Sequence, residues 1–343
     1  MNKNKYYYLF FALTLLFSAC SSDLDVTGKY KETMVVYGLL DQSKSFQYIK
    51  INKAFLGQGS AYEYAKIKDS TQFVNSLTVK LKRLSDGVEF NLAPDNSMPK
   101  DPGTFYSSDQ QNAIYSINSI GAAALNTNSQ YRLTILNNET ATQVTAQTSL
   151  INDATFTGSI ATSQTFGFIL PSNANFMFQV RWNSGLNAKI YQLVVRFNYI
   201  DSTISGNTQQ KLDWIFPQQS TENLMGGQEM KNDFLGQGFL QFVGNQLTNP
   251  AGLIARRALK IDLFLIAGGD EINTFMEVNK PSTSLVQEKP SYTNISNGLG
   301  VFSSRYRKAP LSKPLNKASL DELSCGQYTK SLKFLDYSGA VCQ

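Results

Sequence analysis

Apolar and polar side chains alternate along much of this chain, and the alternation predicts β-strands. In Leu77-Thr78-Val79-Lys80-Leu81-Lys82 the two kinds fall on opposite faces of an extended backbone, whose side chains repeat every two residues. Tyr131-Arg132-Leu133-Thr134-Ile135 repeats the pattern, and the run Phe176–Trp182 sets Phe176, Phe178, Val180 and Trp182 on one face. Further on, Tyr191, Leu193, Val195, Phe197 and Tyr199 form one stripe. Leu259, Ile261, Leu263 and Leu265 form another against Lys260 and Asp262. Strands with one wetted face belong to antiparallel sheets and not to a doubly wound parallel one. Asp86-Gly87, Asn137-Asn138, Asn183-Ser184-Gly185 and Ser205-Gly206-Asn207 supply turn residues between them.

Helical spacing is rarer. Ile272, Phe275 and Met276 recur at i, i+3 and i+4 behind Asp270, which predicts a short helix capped by Asp270 and ended before Pro281. Ser319-Leu320-Asp321-Glu322 reads as a capping box, and Ala61–Lys68 as a further helical turn. The expected fold class is mostly β, with two β-sandwich-like antiparallel domains and a few short helices. The first domain is expected at 30–152 and the second at 153–310, with a C-terminal tail at 311–343.

Composition narrows the chemistry. Of the 343 residues, 17% are charged and 12% aromatic, a mixture suited to exported β proteins. The chain has no histidine, which excludes Ser-His-Asp and Cys-His catalysis in their usual forms and any imidazole zinc site. Catalysis would have to run on carboxylates, Lys, Tyr or Ser; no metal or other cofactor is expected. Basic residues concentrate in 301–343, including Arg305, Arg307, Lys308 and Lys313. Such a stretch suits either anionic headgroups or plain solvation. Nothing resembles a nucleic-acid module.

The N-terminal pattern concerns address. Lys3 and Lys5 precede an apolar run from Tyr6 to Phe17 and then Ser18-Ala19-Cys20. The run is too short to span a bilayer permanently, and the layout is that of a secretory signal. Cys20 behind small residues resembles a bacterial lipobox, with Phe17 where an aliphatic residue is more usual. A signal peptide at 1–19, lipidation of Cys20 and a polar tether at 20–29 are therefore expected, holding the body to a membrane by its acyl chains. Asp23 and Asp25 resemble the surface-export signal of Bacteroidetes lipoproteins. Cys325 and Cys342 are the remaining thiols. In an oxidising compartment they are expected to pair, the alternative being two free thiols in a frayed tail.

Several clusters carry candidate chemistry. Asp213, Glu222, Glu229 and Asp233 surround Trp214 and Gly226-Gly227. They read either as a carboxylate pair for glycan hydrolysis or as a loop that binds a ligand without chemistry. Asp69-Ser70-Thr71 and Asp201-Ser202-Thr203 resemble the three-residue O-glycosylation site of Bacteroidetes exported proteins, at Ser70 and Ser202, or are plain turns. Gly268-Gly269-Asp270-Glu271-Ile272 comes within one residue of the diguanylate cyclase signature, but the rest of that catalytic domain is missing. A Gly-Gly turn before a helix explains it.

A wider resemblance covers Cys20 to about residue 335. It is carried by Tyr37-Gly38-Leu39-Leu40-Asp41, Ile49–Gly57, Asp101-Pro102-Gly103-Thr104-Phe105, Asp213–Gln219, Val286–Pro290 and Tyr292–Arg305. Together these resemble a Bacteroidetes outer-membrane lipoprotein family that carries a domain of unknown function. Similar families are often encoded beside TonB-dependent receptors, which implies an outer-membrane β-barrel partner and supplies no catalytic residues. Asn294 and Asn297 in the last stretch, with Trp214, are the candidate ligand loop; packing and turn formation are the alternative. The expected function is that of an outer-membrane-anchored, non-enzymatic accessory or binding module. A carboxylate-based glycan hydrolase and a structural scaffold of the envelope are the alternatives.

Overall fold

The computed structural model describes residues 32–54, 61–73, 76–98, 113–169, 176–281 and 291–342. The expected signal peptide at 1–19 and the expected tether at 20–29, Cys20 included, lie outside them, as do 101–105 and 286–290. The first part of the chain forms β1 (Thr33–Asp41), β2 (Phe46–Ala54), β3 (Leu77–Arg83), β4 (Glu89–Asp95), β5 (Ile114–Asn118), β6 (Gln130–Asn137) and β7 (Gln143–Ser149). There follow β8 (Thr155–Thr157), β9 (Met177–Asn183), β10 (Ile190–Thr203), β11 (Gly206–Ile215), β12 (Gln219–Ser220) and β13 (Glu229–Leu235). The set closes with β14 (Leu253–Gly268), β15 (Leu299–Arg307) and β16 (Leu311–Lys313). The helices are short: α1 (Ala61–Lys66), α2 (Lys68–Thr71), α3 (Ser159–Thr162), α4 (Gly236–Gln246), α5 (Asp270–Asn279) and α6 (Lys317–Cys325). None of the described helices is long and apolar enough to cross a membrane.

The fold is mostly β and sandwich-like, as the alternation predicts. One large sheet runs β11-β10-β14-β15-β1-β2-β5-β4-β3-β6-β7, and a small sheet runs β13-β9-β8. In the first part the ladder rolls over on itself, so Val36 and Ile51 meet Val79, Leu133 and Ile135 in one core. A bridge from Thr145 to Ser296 brings the free edge of β7 back beside the segment that leads into β15. In the second part, Leu193, Val195 and Phe197 of β10 and Ile261, Leu263 and Leu265 of β14 face the small sheet. Phe178, Val180, Trp182 and Phe234 look back from that sheet, and α4 adds Phe239, Leu240 and Val243.

Two features were not predicted by periodicity. β1 and β15 pair in parallel, Val35 beside Leu299 through to Asp41 beside Arg305, and this pair joins the two bodies through one continuous sheet. Phe302 and Ile295, from the region expected to belong to the second domain, pack in the core of the first. The reason is the pairing itself, which turns alternate residues of β15 towards the inner face of β1.

Local chemistry explains the differences from the expected elements. Helix α5 is capped by Gly269 and not by Asp270, which occupies the first turn without a side-chain cap bond. Helix α6 begins at Lys317, earlier than the capping box implied. Asn316 is its cap and accepts from the Ser319 amide at 2.9 Å. Ser319 instead accepts from the amides of Phe168 and Ile169, tying α6 to the second core. The stripe through Leu259 is broken by a bulge, because Asn198 pairs with Lys260 and Tyr199 with Ala258, leaving Leu259 as the extra residue. The stretch from 311 is integral to the second core, to which Leu315, Leu323, Leu332 and Phe334 contribute. Cys325 and Cys342 form the expected disulfide.

Candidate functional site

Strand alternation and the parallel seam together create a groove. On β1, Met34, Val36 and Leu40 turn into the first core, and Tyr37 and Leu39 face outward. Gly38 lies on the inner face, where a Cβ would come 2.5 Å from Ile49 Cδ1, so the backbone there packs tightly under the groove. Phe46 and Tyr48 of β2 stack at 6.3 Å. Across the seam stands α5. Its Glu271 carboxylate accepts from the Ser303 hydroxyl at 2.7 Å and from the Thr148 hydroxyl at 3.2 Å. The Ile272 amide donates to Ser303 Oγ at 3.3 Å. These bonds fix the helix start on β15 and swing Phe275 against Tyr37, ring centroids 6.1 Å apart and edge to face.

The result is an open groove of about 630 Å³, walled by Tyr37, Phe46, Tyr48 and Phe275 over Leu39 and Ile272. Its charged lining is Asp41, Lys44 and Arg305. A second hollow of about 230 Å³ shares Leu39, Ile272 and Arg305 and continues towards Ile190, Ile266 and Met276. Arg305 therefore stands on the saddle between the two. A largely apolar cavity of this size with a few fixed polar groups is the usual form of a small-ligand site.

The polar end is rigid. Asp41 has a side chain only 4% exposed, and its Oδ2 accepts from Arg305 Nε at 3.1 Å. Its Oδ1 accepts from the Ser43 amide at 3.0 Å and the Ser43 hydroxyl at 2.5 Å. Gln47, itself buried, accepts from the Asp41 amide at 2.8 Å and donates to the Asp41 carbonyl at 3.0 Å and to Ser119 Oγ at 2.9 Å. Behind the groove, burial pushes the Glu271 carboxyl above the ordinary range, against the opposing pull of its bond from Ser303. Burial, then the charges of Glu271 and Asp270, raise the Tyr292 phenol.

The residues singled out in the sequence lie elsewhere. Trp214 belongs to the second core, stacked on Phe242 at 5.6 Å and edge-on to Phe234 at 5.2 Å. Asn294 clamps β15, accepting from the Phe302 amide at 2.9 Å and donating to the Phe302 carbonyl at 2.7 Å. Asn297 takes a turn at φ 61° and donates to the Gln143 carbonyl at 3.3 Å. The structure does not bring these three into one loop site. Among the carboxylates near Trp214, Asp213 forms a fork with Arg196 at 2.6 and 2.8 Å, whose guanidinium holds it below the usual range. Glu229 pairs with Arg181 and Asp233 with Lys231, while Glu222 is exposed. Ser70 sits in α2 and Ser202 in β10, both partly covered, and Asp201 beside Ser202 is buried against Arg256 at 2.7 Å. Among the described residues no group of His, Cys, Asp and Glu is placed to hold a metal ion.

Sequence reasoning missed the groove because its walls come from three segments that only the parallel seam assembles. The one available signal was the Asp41 carboxylate at the end of the apolar run Val35–Leu40.

Comparison with known proteins adds no family: no family model matches the chain, and no curated protein matches it. Among solved structures, a cytokine receptor complex matches at 8% identity with a TM-score of 0.24, covering 84% of this chain and 100% of that one. A DUF4785 family protein from Legionella pneumophila matches at 13% identity with a TM-score of 0.22, covering 70% of this chain and 54% of that one. Scores this low establish no shared fold.

Proposed function

We propose that this chain is an outer-membrane-anchored lipoprotein acting as a non-enzymatic binding module, and that the seam groove is the surface it offers. The observation that carries the reading is the groove: four aromatic rings, Tyr37 and Phe46 exposed and Tyr48 and Phe275 half-buried, beside a guanidinium braced by a buried carboxylate. Exposed apolar surface gathered into one concave patch marks interaction sites far more often than it serves folding. Tethering by Cys20 would place that surface beside envelope partners, of which a TonB-dependent β-barrel receptor is the one implied by the family resemblance.

Two measurements on cells test this. Wild type should fractionate with the outer membrane and co-purify with a β-barrel in mild detergent. Cys20→Ala should lose acylation and leave the outer-membrane fraction. Acylated membrane material from the Cys20→Ala strain, or repeated isolation of the wild type as a free lipoprotein, would count against the reading.

A further inference from the structure

We propose that the groove is built for an amphipathic monoanion: a flat aromatic body between the ring walls with one carboxylate on Arg305 and Lys44. The proposal rests on the binding-module reading and adds the chemistry of the ligand. The walls supply the first half of the argument. Tyr37 and Phe275 meet edge to face, and Phe46 and Tyr48 stack, so the groove offers both a ring edge and ring faces at its mouth. Aliphatic Leu39 and Ile272 form the floor and carry no hydrogen-bonding side chain that an apolar body would strip of water.

Charge supplies the second half. The lining contains one carboxylate, Asp41, and two cations, Lys44 and Arg305. Asp41 is already committed to Arg305 Nε and to Ser43. Among the described residues, neither the Lys44 ammonium nor the terminal nitrogens of Arg305 reach any other carboxylate, and Arg305 remains 47% exposed. One positive charge is thus left over at the edge of an apolar cavity. A guanidinium held from behind by a buried carboxylate presents its free edge at no further ordering cost, which suits a fork-like contact with a planar carboxylate. A neutral body of the same shape would use the walls alone, and a cationic one would be repelled.

Titration calorimetry on the full chain carrying Cys20→Ala, which keeps every described residue, tests this with three probes of one shape: 2-naphthoate, 2-naphthalenemethanol and 2-naphthylmethylamine. The acid should bind one per chain and about tenfold or more tighter than the alcohol, since a charge-assisted hydrogen bond is worth at least that factor. The amine should bind more weakly than the alcohol. Phe275→Ala should weaken acid and alcohol alike. Arg305→Met should bring the acid-to-alcohol ratio near unity. Because that change leaves Asp41 uncompensated, Lys44→Met, which leaves the Asp41–Arg305 pair intact, is the second variant and should lower the same ratio. Equal binding of acid and alcohol by the wild type would overturn the anion claim while leaving the groove a binding site. Failure of all three probes to bind a folded chain would overturn the proposal outright, and the partner reading would then stand or fall on co-purification.

Discussion

Glu271 holds the groove's helical wall to both bodies, and it does so at an electrostatic cost. Its carboxylate takes hydrogen bonds from Thr148 in β7 and Ser303 in β15, but burial raises its proton affinity above that of an exposed Glu. The native state therefore binds this proton more tightly than the unfolded chain does. The group's contribution to stability is greatest below the ordinary Glu range and is lost as pH rises through the native value. Glu271→Gln keeps an acceptor oxygen and removes the charge. Urea unfolding between pH 4 and 8 should show the variant gaining on the wild type as pH increases; a difference that stays constant with pH would refute the burial argument. Single residues were also where the sequence was least legible. Arg256 and Arg257 are neighbours on one strand, and alternation says only that they face opposite ways. Arg256 turns out to be 1% exposed, paired with Asp201 at 2.7 Å and bonded to the Thr248 and Leu332 carbonyls, while Arg257 is exposed. Which of the two is inside depends on partners 55 and 76 residues away in the chain.

Elements were far more legible, because a strand's pattern is local and its partner is not. The runs at Leu77, Tyr131 and Tyr191 all lie in strands. Val194 and Phe264 break the expected alternation by being buried on the outer face, and the cause is visible. Arg196 and Arg307 lie over the Phe264 ring at 4.9 and 4.2 Å, covering that face with their stems and guanidinium planes. The tail shows a complementary case. The disulfide Cys325–Cys342 encloses Leu332 and Phe334, both in the second core. Across the same segment the Arg256 amide donates to the Lys333 carbonyl while the Arg256 carbonyl accepts from the Leu335 amide, both at 2.8 Å. Cutting the cross-link releases chain entropy in a loop that carries core residues. Cys342→Ser should therefore lower stability by roughly 3 kcal/mol. The β signal in circular dichroism should be unchanged at room temperature. Thermal unfolding checks the size of the loss, and a melting temperature equal to that of the wild type would show that the bond adds nothing to the docked tail.

At the scale of the whole molecule, the decisive pairing is one that no local pattern announces. β15 lies between β14 and β1, so a strand from the late part of the chain completes the first core through Phe302 and carries Arg305 to the side of Asp41. Residues more than 250 positions apart in sequence thereby share one site, Arg305 and Asp41 being separated by 264. Composition, the missing histidine and the N-terminal motif carry expectations about the class of protein, but the groove exists only once the seam has formed. Photocrosslinking in intact cells tests its role most directly. A benzophenone side chain placed at Phe46, on the groove rim and 45% exposed, is compared with the same group at Ile204, which is 80% exposed on the turn between β10 and β11. The groove position should yield a discrete crosslinked envelope partner that the turn position does not. Identical adducts at both positions, or none at Phe46 while Ile204 reacts, would contradict the assignment of the seam as the binding surface.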